Sequence, residues 1–187
     1  MKAVLMSIQP KWCEKIASGE KTIEVRKTRP KLETPFKCYI YCTIGNGVKG
    51  DYLVPSGIQC GKVIGEFVCD SMYGISNFLP YNDEPHHSVL PCVLEQTCLE
   101  DYEIDEYLGH KDGYGWHITD LKIYDKPKEL SEFYRYCGDN PKCNGCEAHY
   151  FSNTECGKED YCCSIIDGCK PIKRPPPSWC YVEELQE

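Results

Sequence analysis

The chain has 187 residues, of which 41% are hydrophobic and 27% charged, with a formal net charge of −8; this supports one ordinary folded domain carrying an insertion and excludes a disordered or collagen-like polymer. No stretch approaches the about 18 apolar residues of a spanning helix, and the opening MKAVLMSIQP lacks both the apolar core and the small-residue cleavage site of a signal peptide, so the chain reads as cytoplasmic with no membrane span. The charge is lopsided: residues 1–40 hold nine Lys or Arg against four Glu, and the rest hold twelve basic against twenty-five acidic side chains, which excludes a surface coated throughout for nucleic acid but leaves room for a local basic cleft on an acidic body.

In chain order, Lys2 to Ile8 alternates and is apolar enough for a buried strand. Pro10 suits the first turn of a helix, Trp12, Cys13, Ile16 and Ala17 recur at helical spacing, and Gly19 is the expected stop. Thr22-Ile23-Glu24-Val25-Arg26 alternates strictly, which puts Thr22, Glu24 and Arg26 on one face of a strand and Ile23 and Val25 on the other. Residues 27–35 contain two prolines and read as a loop. Cys38 to Ile44 and Lys62 to Asp70 are two further strands, and Gly65 inside the second marks a bulge or a close backbone approach.

Residues 71–96 are weakly patterned. Thr97 to Glu100 fits a capping box for a helix running toward Leu108 and stopped by Gly109. Residues 114–124 alternate as one or two strands, Ser131 caps a short helix over Glu132 to Tyr136, and Ser178 to Val182 is a last strand. This order predicts an α+β fold, a small mixed barrel with short flanking helices.

Fifteen cysteines cannot all pair, and the cytosol keeps thiols reduced. Cys13, Cys38, Cys42, Cys60 and Cys69 sit singly among apolar neighbours and read as core. Seven more crowd into residues 137–169. Cys137, Cys143, Cys146 and Cys156 follow the spacing C-x5-C-x2-C-x9-C, and the tight Asn144-Gly145 turn between the middle two aims a pair of thiolates at one ion. The expectation is one structural zinc, with Cys162, Cys163 and Cys169 as spare ligands and His149 nearby. The segment has few large apolar residues, so metal binding would supply its folding free energy. Free thiols are the bland alternative; an iron–sulfur cluster is less suited, because the C-x2-C-x2-C run of ferredoxins is missing. The division is a barrel over 1–136 plus 171–187 and a cysteine-rich insertion over 137–170.

Gly19-Glu20-Lys21-Thr22-Ile23-Glu24-Val25-Arg26 resembles the G-x-K-x-x-E-x-R signature of the ASCH domain family, and the likeness extends to the strand–helix SIQPKWCEKIASG, to GKVIGEF and to the closing SWCYVEE. The chain is also similar to ASCH proteins carried by phages and gut Firmicutes. The resemblance implies a PUA-like β-barrel with a cleft beside the first helix, lined by the motif's polar residues, and a link to RNA binding or, in some members, to hydrolysis of acetylated cytidine or of RNA.

The residues themselves suit a binding cleft. Lys21, Glu24 and Arg26 would be costly in a partly dry cleft unless mutually paired, so an ion network is expected. Such a network presents a cation for phosphate and a carboxylate for a base amino group. The bland alternative is an exposed strand with charges at alternate positions. Trp12 reads first as core and second as a stacking platform, and Thr22 completes the ligand-binding set with Lys21, Glu24 and Arg26. Trp116-His117 reads as packing. His86-His87 has no Cys or acidic partner at metal-ligand spacing and reads as surface. Family members that hydrolyse acetylated cytidine carry Thr where this chain has Glu24, which removes a hydroxyl useful to catalysis; what remains for turnover is Lys21, Glu24 and Glu66. The leading expectation is a module binding single-stranded RNA or a modified nucleotide. A small hydrolase and a phage- or host-protein interaction module are the alternatives.

Overall fold

Two β-sheets face each other across a core of thiols, aliphatics and one tryptophan. The computed structural model describes residues 1–44, 57–78, 86–136 and 171–185, with the backbone of 163–164 and 168–169. In order these form β1 (Lys2–Ile8), α1 (Pro10–Ala17), β2 (Ile23–Arg26), β3 (Phe36–Cys42), β4 (Val63–Cys69), β5 (Met72–Phe78), β6 (His86–Ser88), α2 (Pro91–Thr97), α3 (Asp101–Leu108), β7 (Gly113–His117), β8 (Thr119–Lys128), a 3-10 turn at Leu130–Glu132, the two-residue β9 (Cys163–Ser164) and β10 (Gly168–Cys169), and β11 (Trp179–Glu183).

One of the two facing sheets has the order β11-β1-β3-β4-β8 and the other β2-β7-β5-β6, while β9 and β10 pair only with each other. Only the β1–β3 pair is parallel in the first sheet, so it is mixed. Alternation along β1 and β3 sends Val4, Met6, Ile8, Cys38, Ile40 and Cys42 toward the second sheet, where they meet Trp116. The other face of the same strands buries Ala3, Leu5 and Tyr39 against Phe133, Ile172 and Val182. A strand buried on both faces reads as a continuous apolar run, which is how β1 looks in the sequence. The outer face of the second sheet is covered by α3, with Val25 and Ile75 packed on Ile104 and Leu108. Cys13, Cys38, Cys42, Cys60 and Cys69 are all buried, so these thiols are core. Among the described residues no helix is long and apolar enough to cross a membrane.

Several boundaries depart from the expectations. β3 begins two residues before Cys38 because Phe36 packs edge-on against Trp116, 5.7 Å between centroids. The weakly patterned region holds β5, β6 and α2; β5 exposes residues on both sides of its one buried Ile75, so its alternation is faint. Thr97 does not start a helix: it ends α2, Cys98 follows at φ +54, and the capping box of α3 is made by Glu100 and Glu103. Likewise Ser131 is not a cap. Glu129 and Glu132 cap the 3-10 turn, and Tyr134 and Arg135 leave it to bridge Pro171 and Val182. Gly65 performs both expected roles: the β4–β8 register shifts beside it, and a Cβ there would lie 2.5 Å from the Lys122 carbonyl oxygen.

Candidate functional site

The segment from α1 to β2 is built by a glycine stop. Gly19 adopts φ +80, and the Lys21 amide returns to the Lys15 carbonyl at 3.0 Å, which turns the chain into β2. All four residues of β2 are buried, although two of them are charged. Lys21 is 1% exposed, Glu24 4% and Arg26 8%.

These three side chains form a chain of contacts. Lys21 Nζ donates to the Thr97 carbonyl at the end of α2 (2.6 Å) and pairs with Glu24 Oε2 at 3.3 Å. Glu24 Oε1 takes Arg26 Nη1 at 3.0 Å, and Arg26 Nη2 donates to the Ser7 carbonyl of β1 at 2.6 Å. Burying three charges is tolerable because each is paired and further hydrogen-bonded. A carboxylate has about four acceptor positions, so Glu24 keeps capacity for a ligand donor. Arg26 Nε is buried without a hydrogen-bond partner among the described residues.

The network forms the floor of a cleft of about 1020 Å³. The α1 side contributes Lys11 and Trp12, α3 contributes Glu103, Glu106 and Tyr107, and further walls come from Tyr41, Thr43 and Ile44 and from Pro175 and Pro177. Trp12 is half-buried and packs against the edge of the core; its ring lies 4.1 Å from the Lys11 ammonium and 5.0 Å from that of Lys21. The charged residues of the lining balance in sign: Lys11, Lys21 and Arg26 against Glu24, Glu103 and Glu106.

Thus Lys21, Glu24, Arg26 and Trp12 come together in one cleft, and two other expected residues do not. Thr22 precedes β2 and does not line the cleft; its hydroxyl bonds Gln96 Oε1 at 3.0 Å, and its amide bonds the Gln96 carbonyl at 3.1 Å. Glu66 is paired in register with Tyr39, on the face of the first sheet turned away from the Trp116 core. There it accepts from the Tyr124 hydroxyl at 2.5 Å and pairs with Lys37 at 3.5 Å. Burial pulls the Lys37 pKa down, but Glu66, Tyr39 and Glu184 outweigh that and hold it above its ordinary value. Glu66 therefore stands apart from Lys21 and cannot assist it.

The α3 wall was missed by sequence reasoning, although Glu103, Glu106 and Tyr107 stand three and four residues apart, the spacing that places side chains on one helical face. His87, expected at the surface, is only 4% exposed. Its Nδ1 lies 2.7 Å from Asp105 Oδ1, its Nε2 lies 3.0 Å from the Lys111 carbonyl, and its amide also donates to Asp105. These bonds fasten β6 to α3 and so position that wall; His86 beside it is exposed, as expected. The acidic partner lies eighteen residues away, beyond any local spacing rule. Trp116 is fully buried, and His117 bonds Asp70 Oδ1 at 2.7 Å.

The expected zinc ligands Cys137, Cys143, Cys146 and Cys156 lie outside the described residues. Among the described residues no group of three or more His, Cys, Asp or Glu is arranged to hold a metal.

No family model matches the chain, and no curated protein matches it. Solved structures do. The crystal structure of ASCH from Zymomonas mobilis superimposes with a TM-score of 0.53 at 14% identity, over 97% of this chain and 88% of that one. A serine-to-alanine variant of the same protein gives 0.53 at 13% identity, over 97% and 89%. At such identities the likeness concerns backbone architecture. By that architecture, an α+β assembly of two sheets and short helices, the chain has the ASCH fold.

Proposed function

We propose that the cleft binds one unpaired RNA base or a modified nucleotide without turning it over. The observation that carries this reading is a buried Lys21–Glu24–Arg26 network opening onto a cleft beside a half-buried Trp12. Glu24 is held by two cations, so its carboxylate is fixed in place to accept from an exocyclic amino group. Trp12 supplies a ring face, and stacking of a base is worth about 1–3 kcal/mol. The cleft has the volume of a small-molecule site, about 300–1,000 Å³, and is too small for a duplex; unpaired bases expose their edges and faces.

The test is a titration of the protein with nucleosides, nucleoside monophosphates and short unstructured RNA, read by tryptophan fluorescence and by calorimetry. Binding of at least one nucleobase is expected, with Trp12→Ala weakening it about 5- to 100-fold and circular dichroism confirming that the variant stays folded. Equal binding by Trp12→Ala and parent, or no binding by the parent, overturns the reading. For the cysteine-rich segment the spacing of Cys137, Cys143, Cys146 and Cys156 supports one structural zinc. Elemental analysis of protein never exposed to chelator should return about one zinc per chain, and a value near zero refutes it.

A further inference from the structure

The surroundings of the cleft are sharply divided by charge. Residues 99–109 carry Glu100, Asp101, Glu103, Asp105 and Glu106 and no Lys or Arg. Outside that run lie two separate basic segments. The loop after β2 carries Lys27, Arg29 and Lys31, all exposed. The segment before β11 carries Lys173 and Arg174, also exposed, immediately before Pro175 on the cleft wall.

The fold fastens these segments to one another. Trp179 Nε1 donates to the Thr28 hydroxyl at 3.0 Å, and the Lys31 amide donates to the Tyr181 hydroxyl at 2.6 Å. The Ser7 hydroxyl donates to the Pro176 carbonyl at 2.7 Å, and the Ser7 carbonyl accepts from Arg26 on the cleft floor. The head of the loop is tied to the cleft as well, since the Lys27 ammonium stands 5.0 Å over the Tyr107 ring. The Arg29 guanidinium lies 5.7 Å from the Tyr114 ring. None of these five cations takes part in an ion pair among the described residues.

We propose that Lys27, Arg29, Lys31, Lys173 and Arg174 form a phosphate-binding rim, over which the RNA strand flanking the bound base leaves the cleft on one side only. This rests on the reading of the cleft as a base-binding site. The cleft lining is balanced in sign and offers little net attraction to phosphate, so affinity for a longer strand must come from outside it. The α3 run of carboxylates repels phosphate, and the two basic segments supply cations, of which Lys27 and Arg29 stand over aromatic rings while the Lys31 backbone is held by Tyr181. Phosphate contacts of this kind position a strand and confer salt dependence without reading sequence.

The experiment compares the parent with the variant Arg29→Ala/Lys31→Ala/Lys173→Ala/Arg174→Ala, using whichever nucleoside monophosphate binds best and an unstructured RNA of about ten nucleotides containing it, where each single-strand phosphate contact adds about −0.7 to the slope of log affinity against log salt. With five contacts the parent should lose about 130-fold in RNA affinity between about 50 and 200 mM monovalent salt. The variant should bind RNA more weakly at low salt, with only the shallow slope of about −0.7 that Lys27 leaves, and should bind the monophosphate within about twofold of the parent, as a rim distant from the base requires. A variant that keeps the parent's RNA affinity and slope overturns the rim while leaving the cleft reading intact. A parent that binds neither probe overturns the cleft reading and the rim with it. Circular dichroism confirms that the variant is folded.

Discussion

Replacing Lys21 by Met keeps most of the side chain's length and removes only its charge and its donors. In the structure that ammonium has two assigned partners, the Thr97 carbonyl at 2.6 Å and Glu24 at 3.3 Å. After the change the Thr97 carbonyl loses its buried donor, at about 1–3 kcal/mol, and Glu24 is left with Arg26 alone. Breaking a buried pair by deleting one partner costs about 3–5 kcal/mol, and the surviving Arg26 contact places Lys21→Met at the lower end, near 3. For a chain of this length that corresponds to a fall in Tm of roughly 6–12 °C. Urea and thermal unfolding followed by circular dichroism measure it directly. A loss below about 1 kcal/mol, the range of solvated surface pairs, would refute the buried network and return Lys21 to the role of an exposed site cation. Lys21 would then act on the ligand alone, and its removal would change binding without changing stability.

Gly65→Ala places a methyl group 2.5 Å from a backbone oxygen of β8, which cannot rotate away; a loss of about 1–3 kcal/mol is expected in the same unfolding assay, and unchanged stability would show that β8 yields freely. On the alkaline side, burial and then the Asp70 charge push the Cys69 thiol from 9.0 up to about 12, and burial likewise raises Cys13 and Cys38. Their neutral forms favour the folded state, so this stability is intact below pH 9, where unfolded thiols begin to ionise, and is lost as pH rises toward 12. Cys42 runs the other way, held below its ordinary value chiefly by a hydrogen bond from Cys13. The urea midpoint should therefore fall between pH 8 and pH 10.5, less steeply in Cys69→Ala, and an identical fall in both proteins would exclude the thiol as a contributor.

How much of this was legible in the sequence depended on whether the signal was local. The strand–helix–strand opening was readable because Pro10, Gly19 and the apolar spacing all act within a turn or two of themselves. Lys21, Glu24 and Arg26 were readable as a group because alternation places residues 24 and 26 together, although nothing local showed that all three would be buried. Thr22 was assigned to their face by the same alternation, but the strand starts one residue later and Gln96 captures the side chain. The Thr97 capping box failed for a related reason: Thr97 and Glu100 both stand at helix ends, one closing α2 and the other opening α3, and the pattern alone does not separate them. The cleft's acidic wall, the burial of His87 and the seclusion of Glu66 depend on tertiary partners distant in sequence, which single-chain patterns do not encode.

The pairing of Lys2 with Glu183 has a consequence for how the protein is made. β1 leaves the ribosome before the other strands, yet one of its two neighbours, β11, is the last of them to be synthesised. Until then β1 offers an unpaired edge and the Leu5 side of the nascent sheet stays wet, since Val182 is part of what covers it. Such an edge is a template for pairing with another chain, and contacts that span nearly the whole sequence form slowly. The vulnerable period is therefore translation itself: a ribosome stalled within the cysteine-rich stretch would hold out a sheet that cannot close, and slower synthesis or a shortened carboxyl end should send this protein into aggregates long before it weakens the finished fold.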